Sequence, residues 1–172
     1  MRAAVTYLQC RHIGKRSARI GLYDGRMEYI DTKAALHEHQ RAAYVLLKQG
    51  IQAVGAGLGP TLAALPALRA EMASVLNAYQ GFKHDGIFNP AVASGDRERV
   101  ALGHAMKIEC IAAGEVFRSH LSRWKEADIG ADWDGYKVAT RLAAGQLIRH
   151  IDNERDGILR LIDLAHIGCS RH

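Results

Sequence analysis

His150 and Glu154 sit four residues apart inside an otherwise apolar helical stripe, and this pair constrains the fold more than any other feature of the chain. Between residues 134 and 165, Tyr136, Ala139, Ala143, Leu147, Leu161 and Leu164 recur at helical spacing. At about 100° per residue, His150 and Glu154 fall on that same face. A carboxylate carried into a core is costly unless a partner meets it there. A metal ion would serve, and so would an arginine, with Arg118 and Arg141 as candidates. A buried network of the second kind holds packed helices in register without binding anything.

The remaining sequence supplies helices to pack against. Its 172 residues suffice for one domain with a sizeable core. Hydrophobic residues make up 48%, but aromatics only 6%, and there are three prolines, a balance that suits helices better than sheets. The expected fold class is all-α. Helix A is expected from Asp31 or Thr32 to the cluster Gly55, Gly57, Gly59. Helix B runs from Thr61 or Pro66 towards Gly81, continuing bent to Phe88 and closed by Asn89-Pro90. Asp96 can cap helix C, which extends to about Lys125, and helix D follows the loop Ala127 to Asp134. Four helices joined by short loops imply an antiparallel up-down-up-down four-helix bundle over residues 31–168. Residues 1–30 read as a basic N-terminal arm carrying Arg2, Arg11, Lys15, Arg16 and Arg19, set off by Gly21 and the Asp24-Gly25 turn.

Composition excludes several classes. No apolar run reaches the roughly 18 residues that span a bilayer, and no secretory signal is evident. Three widely spread cysteines, Cys10, Cys110 and Cys169, suit reduced thiols in a cytoplasmic setting. There is no CxxC, P-loop, GxGxxG or GxSxG motif. The net charge of +5 leaves room for nucleic-acid contact through the arm, although no reading helix or stacking set supports it.

Histidines are available at one height. His39 falls at the edge of the helix A stripe, and His104 shares a helix C face with Val100, Ala101, Ile108 and Ile111. With the C–D loop centred near residue 129, His104 and Glu154 lie level. With the B–C loop centred near residue 94, so do His84 and His104. Neutral imidazoles and a carboxylate suit iron, zinc, copper or nickel. The expected metal set is His39, His84, His104, His150 and Glu154.

The segments Leu36-His37-Glu38-His39, His84-Asp85-Gly86-Ile87-Phe88-Asn89-Pro90, Gly103-His104 and His150-Ile151-Asp152-Asn153-Glu154 resemble the hemerythrin-like, or HHE cation-binding, domain over about residues 33–165. In that family, helix A carries a ligand histidine matched by His39, helix C one matched by His104, and helix D a histidine and glutamate matched by His150 and Glu154. Gln80 stands where the helix B histidine is expected, and His84-Asp85 where the acidic pair is. The resemblance implies non-haem iron, one or two ions, and binding or sensing of O₂, NO or peroxide more than turnover. Two alternatives stand beside it: a metal-free helical signalling or partner-binding module, and a nucleic-acid-associated protein.

Overall fold

The structure is a computed structural model that describes residues 18–169. Those residues fold into helices, with no strand among them. The N-terminal arm lies outside the described residues up to position 17. From there α1 (Ala18–Ala53) runs without a break through Gly21, Asp24 and Gly25, so the turn expected at Asp24-Gly25 is absent. A mid-helix glycine costs only about 1 kcal/mol, which a long packed helix absorbs.

The chain reverses at Val54–Gly57, where Gly57 takes a φ of 102°, in the left-handed region. The Thr61 hydroxyl lies 2.7 Å from the carbonyl oxygens of both Ala53 and Gly57, tying the end of α1 to α2 (Leu58–Lys83). After Lys83 comes a π-helical turn, His84–Phe88, and then the single turn α3 (Asn89–Val92). The Asn89 N–H donates to the His84 carbonyl, five residues back. Pro90 has no N–H and its ring crowds the turn before it, and widening that turn accommodates both. Helix B therefore does not stop at Asn89-Pro90. It changes phase just before them, and its new face buries Gly86, Ile87 and Phe88.

Asp96 caps α4 (Arg97–Arg123), its carboxylate accepting from the Arg99 N–H at 2.8 Å. The segment expected to be a loop holds the short helix α5 (Glu126–Ala131), and α6 (Trp133–Cys169) completes the chain. The contacts show the helix directions. Gln40 meets Tyr79 while Ala53 meets Thr61, so α1 and α2 run antiparallel. Tyr29 meets Asp163 while Tyr44 meets Asp152, so α1 and α6 do too. Glu98 meets Arg160 while His120 meets Thr140, and the same holds for α4 and α6. By contrast α2 and α4 make little direct contact, and a crevice separates them.

The stripe of α6 follows its sequence pattern, with Tyr136, Ala143, Leu147, Ile151, Glu154, Ile158 and Leu161 all buried. The inner face of α4 does not follow the expectation. Gly103, Met106 and Cys110 are buried, whereas Ile108 and Ile111 are 68% and 47% exposed. Gly103 fixes this rotation. A Cβ there would lie 3.1 Å from the Ala91 Cβ and 3.3 Å from the Phe88 carbonyl oxygen, so α3 and the π turn seat directly on it. At the other end Trp124, Ile129, Tyr136, Val54 and Leu65 form a second apolar cluster, and the tryptophan pins the α4–α6 connection. No helix among the described residues is long and apolar enough to cross a membrane.

Candidate functional site

Glu154 is completely buried, and its polar neighbours come from α2 and from α6 itself, with Cys110 of α4 close by. Lys83, the last residue of α2, places its ammonium 2.8 Å from Oε1 and 2.7 Å from Oε2. One turn earlier, the Tyr79 hydroxyl donates to Oε1 at 2.7 Å. His150 Nε2 lies 3.0 Å from Oε2, an ion-pair contact that is off the line of a hydrogen bond. Each carboxylate oxygen thus has two partners, and an ionised carboxylate has about four acceptor sites in all. The network extends outwards: Gln40 donates to the Tyr79 oxygen at 3.2 Å, and Arg155 donates to Gln40 at 3.4 Å. The Lys83 ammonium also lies 4.2 Å from the centre of the Tyr79 ring, a cation–π contact. On α4, Cys110 is a buried free thiol whose sulfur lies within 4.8 Å of a ring nitrogen of His150.

The ionisations follow from this geometry. Burial pushes the Glu154 carboxyl up, but His150 and Lys83 outweigh it and hold it below the usual carboxylate range. Burial also opposes the His150 imidazolium, yet the contacts with Cys110 and Glu154 prevail and lift its pKa to about 9. Burial, with Glu154 next, pushes the Tyr79 phenol far up, so it stays a neutral donor. At neutral pH the layer holds two cations, Lys83 and His150, around one carboxylate.

Of the five residues expected to bind metal, only His150 and Glu154 come together. His104 is exposed, one position past buried Gly103, because α4 turns its other apolar stripe inward. His39 is half-buried and stacks on Tyr79 and Phe82, with ring centres 5.9 and 4.8 Å away, while its neighbour Gln40 takes the inward position. His84 packs edge-on against Phe88 in the π turn, and its neighbour Lys83 is the buried cation. Burial holds both His39 and His84 below the ordinary histidine range. The salt-bridge partners expected from sequence fail as well. Arg118 pairs with Glu115 on the surface, and Arg141 is exposed.

Among the described residues, one group of three or more His, Cys, Asp or Glu has its ligating atoms within 4.8 Å of one another: Cys110, His150 and Glu154. An iron centre on the five expected histidine and glutamate ligands does not fit this arrangement, because three of them are elsewhere. A dication at the smaller group would have to displace the Lys83 ammonium from Glu154.

Sequence reading missed Lys83, Tyr79, Gln40 and Cys110 as members of the layer. For the first two a signal existed, since Leu68, Met72, Val75 and Tyr79 form the apolar stripe of α2 and Lys83 continues it by one turn. The layer opens on the crevice between α2 and α4. One chamber there has a volume of about 250 Å³ and is lined by Leu76, Tyr79, Lys83, Cys110, Phe117 and His150 among others. A second, of about 70 Å³, continues past Phe117, Leu121 and Leu147 to Met72, His120 and Thr140. His120 stacks on Tyr136 at 5.9 Å and lines this lower chamber. Compared with known proteins, the chain matches no family model, no curated protein and no solved structure.

Proposed function

We propose that this chain is an up-down-up-down four-helix bundle that binds a small organic molecule in the crevice between α2 and α4, above a metal-free polar floor. The observation that carries this reading is the placement of the Lys83 ammonium. It meets Glu154 through both carboxylate oxygens at the base of an open chamber. Buried carboxylates need a cation, and here a side chain supplies it. The chambers of about 250 and 70 Å³ together reach the lower end of small-molecule pockets, and they are apolar with a few convergent polar groups, as such pockets are.

The hemerythrin-like resemblance enters this reading as a shared frame of four rods with a polar layer across the middle. Small-ligand binding is kept from it. Iron, and with it O₂, NO or peroxide as ligand, is not carried over, because the helix A, B and C histidines lie outside the layer. A reducing cytoplasmic setting suits the free thiol of Cys110.

The test is titration of the full chain with the neutral fluorescent probe N-phenyl-1-naphthylamine. One bright site per chain is expected. Ala113→Trp, which puts an indole into the half-buried α4 wall of the crevice, abolishes the signal while circular dichroism and Tm stay close to wild type. Equal probe fluorescence in wild type and Ala113→Trp contradicts the reading.

A further inference from the structure

The two ends of the crevice differ in character. At the upper end the side chains of Lys83, His150, Tyr79 and Cys110 converge on the chamber. Below them the walls are apolar, built from Leu76 on α2, Ala113, Phe117 and Leu121 on α4, and Leu147 on α6. From Cys110 to Leu121 is eleven residues of helix, so the crevice runs for about 16 Å along α4 at 1.5 Å per residue. Charge at the polar end is unbalanced. Two cations, Lys83 and His150, face one carboxylate, Glu154, and the only other charged lining residue, Arg118, is already paired with Glu115 at the rim. The chamber therefore carries about one net positive charge in a water-poor setting, where a complementary charge counts for more than in bulk water. His150 Nε2 adds a buried N–H position with no hydrogen-bond acceptor in line. The Tyr79 proton is committed to Glu154, so the donors for a bound group are Lys83, His150 and the Cys110 thiol.

We propose that the crevice binds an amphipathic monoanion, with its anionic head at Lys83 and His150 and its unbranched apolar tail lying between α2 and α4 along Leu76, Phe117 and Leu121. This inference rests on the crevice being a ligand site and adds the class of ligand. The head completes the charge balance that Glu154 leaves half done. The tail covers the walls that α2 and α4 leave unpacked. A cationic head meets Lys83 and His150 and is repelled. A neutral head gains the tail contacts alone.

The experiment uses the full chain loaded with N-phenyl-1-naphthylamine and follows displacement by decanoate, 1-decanol and decyltrimethylammonium, each below its aggregation range. Decanoate displaces the probe with an affinity at least about tenfold above that of decanol, the difference expected for one charge-assisted contact. Decyltrimethylammonium displaces it least. His150→Gln, which keeps size and polarity but not charge, brings decanoate down to the decanol level and leaves decanol unchanged. If decanol or the cation displaces the probe as well as decanoate does, or if His150→Gln weakens all three alike, the anion assignment is overturned while the crevice stands. If the probe itself does not bind, the crevice reading falls first, and the anion assignment with it.

Discussion

Replacing Lys83 with methionine lowers the free energy of unfolding by about 3–5 kcal/mol at neutral pH, as expected when one partner of a buried ion pair is removed. Methionine keeps the length and apolar stem of lysine, so packing changes little, and the loss reports the charge. Glu154 then lies in the core with Tyr79 and His150 but without the ammonium that meets both its oxygens. The control is the double variant Lys83→Met/Glu154→Leu. It removes both charges together and recovers most of the loss, since apolar replacement of a whole buried pair is close to neutral or stabilising. Urea denaturation of the wild type, the two single variants and the double variant gives the coupling. A Lys83→Met chain within about 1 kcal/mol of wild type means that the ammonium does not hold Glu154.

The second large effect is on pH. The folded-state pKa of His150 is about 9, against an ordinary value of 6.5. The folded protein therefore binds this proton more tightly than the unfolded chain does. Its contribution to stability is fully present below pH 6.5 and is lost as the pH rises through about 9. At 1.36 kcal/mol per pH unit the loss amounts to about 3 kcal/mol. Glu154 behaves in the opposite sense. Its folded pKa is depressed, so its contribution is present above the ordinary carboxylate range and fades as the pH falls below it. The two shifts share one contact, so their energies do not add. Stability is thus greatest from about pH 5 to 6.5. In His150→Gln the alkaline loss disappears and the acid limb remains. Chemical denaturation from pH 4 to 10 on both proteins checks this, and equal alkaline slopes in the two contradict it.

The all-helical class, the capping by Asp96 and the burial of Glu154 were legible in the sequence because each rests on local chemistry: composition, a capping carboxylate, and helical periodicity. The register of α4 against α6 was legible too. Centring the connection on residue 129 puts His104 level with Glu154, and the observed pairs Glu98–Arg160 and His120–Thr140 straddle residues 129 and 130. What failed was rotation. Helix C carries two apolar stripes, and periodicity cannot say which one turns inward. That choice goes with Gly103, on which α3 and the π turn seat closely, a contact that the pattern of α4 alone does not reveal. A rotation of one residue moved the inward position from His104 to Gly103, and on α1 from His39 to Gln40. On α2 the bend expected at Gly81 is a π turn three residues later, so the straight helix lasts long enough to carry Lys83 into the core. Cys110 lay outside the expected set because that set was built on the His104 face of α4, whereas Gly103, Met106 and Cys110 form the buried face.

Metal content tests the central claim most directly. The full chain is purified without affinity metal from cells grown with added iron and zinc, its metal is counted by mass spectrometry, and its Tm is compared before and after treatment with EDTA. With Lys83 as the cation of Glu154, the protein carries far less than one metal ion per chain and the chelator leaves Tm unchanged. Close to one ion per chain, lost together with several degrees of Tm on chelation and absent from His150→Gln, would contradict it.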